Sequence, residues 1–242
     1  IVGSPVMFYV HEVHSVDGRH EDRFEARLRH DWAPAVADGD HARLLHYLHL
    51  AHGSGPSYRV VTVTAVTDGA AWGHLVDRTL TGDLAPIAAG LDECRHDVVA
   101  KVLAPLPWSG MQEIDLSTVG VGGVDHDPVL FMEDTVWPRE GLLETYVERS
   151  GAHYASWMDT GDEAETSLLQ VEASFRTVWG AGARREIVLW QRVTRPRWMS
   201  GLLITEVPAE LKAPGTWMHD GLELRDQWES RILRSARWSP TA

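Results

Sequence analysis

Three histidines fall at every third position of one short stretch, His46, His49 and His52 in RLLHYLHLAHG, and two more flank a carboxylate near the start, His11, Glu12 and His14 in VHEVHS. A neutral imidazole beside a carboxylate is a workable general base near neutral pH. His11 or His14 together with His46 or His49 would form the core of such a site, and Tyr9 or Tyr47 could donate a hydrogen bond to a reacting oxygen. The catalytic candidates are therefore His11, Glu12, His14, His46 and His49, with Tyr9, Tyr47, His52 and Trp72 as ligand contacts. Of the thirteen histidines, eleven precede Asp127 and two follow it, which points to a site in the first half of the chain.

Zinc or iron is the second possibility, since either needs three convergent His or carboxylate ligands. The H-x-x-H-x-x-H spacing suits this poorly on a strand, where alternate residues face opposite ways, and no HExxH motif is present. A haem would need an axial imidazole in an apolar cleft, for which His153 and His74 are candidates on predicted helices. Cys94 is the sole cysteine, so no intrachain disulfide can form, in keeping with a reducing cytoplasm. It reads as a small hydrophobe on a helix rather than a nucleophile. Trp157, Trp179, Trp190 and Trp198 fit core positions.

Strands must position most of these groups. Residues 6–16 alternate, with Met7, Tyr9, His11 and Val13 on one side and Phe8, Val10, Glu12 and His14 on the other, a period-two strand ended by Asp17-Gly18. Phe24, Leu28 and Trp32 lie on one face of a helix that Pro34 closes or kinks. The His-bearing strand and a β-branched run, residues 60–66, form a hairpin about GSGPS. On a regular strand His46 and His52 share a face with Leu44, Leu48 and Leu50, while His49 points the other way with Leu45 and Tyr47. His11 and Glu12 also point apart, so the candidates cannot all share one pocket.

Asp68-Gly69 opens a helix with Trp72, Leu75, Val76, Thr79 and Leu80 as its buried stripe. A second helical piece is predicted over 91–103, then a short strand over 111–119, giving β-α-β-β-α-β. The Gly-rich stretch GVGGVDHDP, residues 120–128, separates the halves and lacks the GK[ST] ending of a phosphate loop. The second half repeats the order, with strands over 129–136, 169–177 and 187–193 and helices over 143–157, 198–203 and 224–234.

An internal repeat supports this reading. LLHYLHLA sits over LLQVEASF, which places His46 over Gln170, His49 over Ala173 and His52 over Arg176 and sets His11 near Asp134. RVVTVTAVTDGAAW sits over EIVLWQRVTRPRW, and CRHDVVAKVLAPLPWS over QWESRILRSARWS. A β-α-β-β-α-β unit leaves one sheet face bare and apolar, and a second unit can cover it. The expected fold is α+β, with units over 5–119 and 128–242 packed sheet to sheet as a pseudo-symmetric barrel.

Composition narrows the partners. A formal charge of −13 with two lysines, Lys101 and Lys212, leaves no basic face for phosphate, so nucleic acid and anionic lipid are poor partners. No apolar run approaches a membrane span, and no charged and then apolar opening suggests a secretory signal, so a cytoplasmic protein is expected.

MFYVHEVHSVDG, the Gly55-Pro56 and Val60-Val61 of GSGPSYRVVTVTAVTD, and the tandem layout together resemble the dimeric α/β-barrel superfamily, and within it NIPSNAP-like proteins. The resemblance implies ferredoxin-like units and a ligand pocket between a sheet and its own helices. Relatives there include cofactor-free monooxygenases, haem-containing dismutases and peroxidases, dehydratases and cyclases. The expectation is a cofactor-independent enzyme acting on a small hydrophobic or polycyclic molecule through histidine acid/base chemistry, with a homodimer as the expected assembly. A non-catalytic small-molecule-binding or stress protein is the alternative from another class, and a His-ligated metal or haem enzyme a third.

Overall fold

Eight antiparallel strands close into a single barrel in the order β1-β3-β2-β8-β5-β7-β6-β4. They are β1 (Phe8–Val16), β2 (Ala42–Leu50), β3 (Arg59–Val66), β4 (Arg95–Pro105), β5 (Leu130–Pro138), β6 (Leu169–Trp179), β7 (Ile187–Val193) and β8 (Arg225–Ser235). The computed structural model describes residues 6–158, 168–204, 206 and 208–241. Cut between β2 and β8 and between β4 and β6, the barrel gives β4-β1-β3-β2 and β8-β5-β7-β6, the same strand order in each half of the chain. The two sheets join edge to edge, β2 to β8 and β4 to β6, as well as facing each other. Ladder hydrogen bonds thereby leave no continuous open edge at those seams.

The interior is filled by side chains from all eight strands, among them Tyr9, Leu48, Val63, Leu103, Phe131, Phe175, Val188, Trp190 and Leu233. That is the expected state of an eight-stranded barrel, which is just wide enough for its own side chains. Residues 111–119, predicted as a strand, instead carry a single 3-10 turn at Leu116–Thr118. Leu116, Val119, Met111 and Ile114 from this segment pack into the barrel core.

Helices cover the outer faces. In the first half these are α1 (Glu21–Arg27), which runs through a π turn into α2 (Ala33–Val36), and α3 (Gly69–Leu80) and α4 (Ala85–Asp92). Pro34 stands in the first turn of α2, where its missing N–H costs nothing, so the chain continues helical instead of stopping. Asp68 caps α3 by accepting from the Ala71 amide at 2.8 Å. The buried stripe of α3 is narrower than predicted, because Leu80 is 71% exposed. The second half carries α5 (Leu143–Met158), α6 (Met199–Ile204) and α7 (Trp217–Asp220).

Two predicted helices are strands. Residues 95–105 form β4 and residues 225–235 form β8. Both carry apolar residues at spacings that imitate a helix. Pairing with β1 and β5 along nearly their whole lengths decides otherwise, as the β-branched Val98, Val99 and Val102 favour. Among the tryptophans, Trp190 is a buried core residue as expected, whereas Trp179 is 69% exposed. The side chains of Trp157 and Trp198 lie outside the described residues.

Candidate functional site

A β-bulge decides which way the His-bearing strand points. Pairing passes from Leu44↔Thr64 to His46↔Val63, which leaves Leu45 unpaired. Leu44 consequently faces the helices and Leu45 the barrel interior, the reverse of the regular-strand expectation. Beyond the bulge the expectation holds: His46, Leu48 and Leu50 look inward, while Tyr47 and His49 look outward. A second bulge, at Glu172 between Val171↔Gln191 and Ala173↔Trp190, occupies the matching place on β6.

The pairing fixes which residues correspond between halves. One interior level is built from Lys101, His11, Val63 and His46 in the first half and from Arg231, Glu133, Trp190 and Ala173 in the second. His46 thus corresponds to Ala173, not to Gln170, and His11 to Glu133, not to Asp134. The sequence repeat misplaces them because it is blind to strand register.

At this level His11 Nε2 lies 2.8 Å from Glu133 Oε2, which also accepts from Trp190 Nε1 at 2.9 Å, while Arg231 Nε donates to Oε1 at 2.9 Å. Burial alone would raise the Glu133 carboxyl, but His11, then Arg231 and Trp190, outweigh it and hold the group at about 2. His46 sits edge-on to Trp190, with ring centroids 5.0 Å apart, and burial followed by the Arg192 charge lowers it to about 3. Tyr9 is buried here too and donates to the Met111 carbonyl at 2.8 Å. Three of the candidates, Tyr9, His11 and His46, therefore belong to a packed core.

The opposite face of β1 has a different character. His14 Nδ1 lies 2.7 Å from Arg95 Nη1, and His14 Nε2 lies 2.9 Å from Thr62 Oγ1. Thr62 Oγ1 is in turn 3.4 Å from Glu12 Oε2, the residue directly across the ladder. The other Glu12 oxygen, Oε1, has no hydrogen-bond partner among the described residues. Burial raises the Glu12 carboxyl, against the pull of Arg95 and the Thr62 hydrogen bond. Burial, then the charges of Arg95 and His11, push His14 well below the usual imidazole range. A cleft of about 390 Å³ opens at the Arg95 end of this row, lined among others by Asp17, Gly18, Tyr58 and Cys94.

The remaining candidates stand apart. His49 is held between Glu21 and Glu25 of α1, its two ring nitrogens 3.4 and 3.3 Å from their oxygens. Tyr47 stacks near Trp238 at 5.1 Å, and its hydroxyl is buried without a partner. His52 lies exposed in the turn after β2, and Trp72 packs with Val36, Ala42 and Val66 in a separate cluster. His46, His49 and His52 thus face the interior, the helices and the solvent respectively. Among the described residues no group of three or more His, Cys, Asp or Glu could hold a metal ion. Of the two haem candidates, His74 is exposed, whereas His153 stacks on Trp217 at 5.4 Å and lines a small cleft of about 230 Å³ together with Arg149, Thr216 and Asp220. Sequence reading missed Thr62, Arg95 and Glu133. Thr62 hid in an apolar run and Arg95 in a predicted helix.

No family model matches this chain, and no curated protein matches it significantly. Solved structures do match in fold. A candidate monooxygenase from Fusobacterium nucleatum aligns with a TM-score of 0.59 at 7% identity, covering 96% of this chain and 93% of its own. An anthrone oxidase-like protein aligns at 0.58 and 8% identity, covering 99% and 96%. A mutant chlorite dismutase from Candidatus Nitrospira defluvii aligns at 0.52 and 6% identity, covering 95% and 91%. The shared feature is the α+β fold, which in this chain closes as an eight-stranded barrel. A NIPSNAP family protein from Agrobacterium tumefaciens covers 43% of the chain with a TM-score of 0.36, so that likeness extends over one part only. No helix among the described residues is long and apolar enough to cross a membrane.

Proposed function

We propose that the protein is a cofactor-independent enzyme that removes a proton from a small hydrophobic or polycyclic molecule, with Glu12 as the base. The observation that carries this reading is the geometry of Glu12. It is a half-buried carboxylate with one oxygen tied to Thr62 and the other without a hydrogen bond among the described residues, raised toward the range where a general base is most effective. Oε1 would take a proton from an acidified C–H or phenolic O–H, leaving a resonance-stabilised anion. That anion can add molecular oxygen, lose water or cleave a bond, and the likeness in fold to proteins named as monooxygenases and anthrone oxidase-like favours the first.

Histidine is thereby moved out of the lead role expected of it. Both ring nitrogens of His14 are occupied by Arg95 and Thr62. His11 and His46 serve the barrel core, and His49 joins β2 to α1. The matching strand order of the two halves supports a duplicated, ferredoxin-like origin, with units over 5–119 and 128–242 and the working site in the first.

The test is a panel of hydroxylated polycyclic aromatics incubated aerobically with the wild-type chain and with Glu12→Gln. Turnover by the wild type that the variant loses, with ligand binding kept, is the expected result. Binding without turnover in either protein would favour a ligand carrier instead.

A further inference from the structure

The row beside Glu12 has a direction. A guanidinium keeps all its protons in a protein, so at 2.7 Å Arg95 Nη1 must donate to His14 Nδ1. That makes the imidazole neutral, with its one proton on Nε2, which donates to Thr62 Oγ1 at 2.9 Å. The hydroxyl, already accepting, has its own proton to give, and Glu12 Oε2 lies 3.4 Å away to receive it. Reversing the row would require Arg95 to release a proton.

We infer that Arg95, His14 and Thr62 form a one-way donor chain that steadies the Glu12 carboxylate, so that a proton taken on Oε1 does not leave through the imidazole. The inference rests on Glu12 being the base proposed above. The three residues are positioning residues, not a proton wire. The other groups that bear on Glu12 are His11 on its own strand and Asp92 at the end of α4. Asp92 opposes the anion, while Arg95, Thr62 and His11 favour it.

A wire and a one-way chain differ in what they tolerate. The oxygen and nitrogen of a glutamine amide can accept from Arg95 and donate to Thr62, as the two ring nitrogens do, yet an amide cannot shuttle a proton. The experiment compares His14→Gln, Thr62→Ser and Thr62→Val in the full chain. Carbon-detected NMR follows the titration of the Glu12 carboxyl, assigned with Glu12→Gln, and turnover is measured against pH. The chain predicts that Thr62→Val moves the Glu12 titration and the acid limb of the rate profile together to higher pH. Thr62→Ser and His14→Gln should leave the Glu12 titration and the acid limb at their wild-type pH. An unmoved Glu12 titration in Thr62→Val overturns the inference. So does a His14→Gln protein that is folded and titrates normally at Glu12 but has lost turnover. The titration needs no substrate, so it judges the chain even if no compound in the panel is transformed.

Discussion

Glu12 and Asp134 stand at one register position in the two halves, and their surroundings show what the halves kept and what they changed. Each lies on the outer face of its first strand, opposite Thr62 in one case and Leu189 in the other. Burial raises both carboxyls. Around Glu12 the neighbouring outer positions hold Thr62 and His14; the corresponding residues around Asp134 are Leu189 and Val136. Asp134 is held through Oδ2 by Gln191 at 3.0 Å, and its Oδ1 is buried without a partner. The same backbone therefore carries a carboxylate joined to a donor row in the first half and one held by Gln191 in the second. Under the proposed function the first does chemistry and the second does none.

The most direct way to break this contrast is to neutralise each acid in turn. Glu12→Gln should lower turnover by about 10²–10⁴, the usual worth of a positioned acid or base. Asp134→Asn should leave kcat unchanged, since that group touches neither the chain nor the cleft at Arg95. Steady-state kinetics on the two variants, with circular dichroism as a check of folding, measures both. Equal losses would mean that the halves do not differ as described.

Glu133 sharpens the comparison from inside the barrel. It is 1% exposed and bonded to His11, Trp190 and Arg231, so Glu133→Ala strands the Arg231 guanidinium and two further buried donors and should cost about 3–5 kcal/mol. Denaturant melts would show it as a lower midpoint. A cost below about 1 kcal/mol would mean that Arg231 finds water once the carboxylate is gone.

The sequence displayed six of the eight strands, β1 and β6 by clean alternation and β2, β3, β5 and β7 by their apolar and β-branched residues, and with them the α+β class, because such local patterns survive without tertiary information. It concealed β4 and β8, whose identity comes from partners far away in the chain. It pointed to His14 and Glu12 but could not divide the histidines among interior, helix side and solvent. That division depends on one unpaired leucine, Leu45, and a bulge has no signature in residue types alone. Glu133 was hidden for a related reason. Its role is set by His11, which lies 122 residues away in the chain and meets it only once the barrel closes.

The buried imidazoles should appear in the acid stability of the protein. His46 titrates near 6.5 in the unfolded chain and is lowered to about 3 in the fold, so the unfolded state binds the extra proton in between. Its contribution to stability is fully present above about pH 6.5 and is lost as pH falls, at about 1.4 kcal/mol per pH unit. Glu133 acts in the same direction at lower pH, its contribution lost as pH falls from about 4.5 toward 2. His46→Leu should thus unfold with a shallower dependence on pH between 6 and 4. The difference from wild type should grow by about 1.4 kcal/mol per unit. Parallel curves for the two proteins would mean that His46 is protonated in the fold.

The smallest effect belongs to the residue that looked most like its neighbours in the sequence. His52 completes the three-residue spacing of His46 and His49, yet it lies exposed in the turn after β2. His52→Ala should change stability by no more than about 0.5 kcal/mol and leave any turnover unchanged. His49→Ala is the control that gives this result its meaning. It removes a group facing both Glu21 and Glu25, so it should loosen α1 and lower the melting temperature by a few degrees without changing kcat. If His52→Ala proved the more damaging of the two, the assignment of the three histidines to three environments would be wrong at its simplest point.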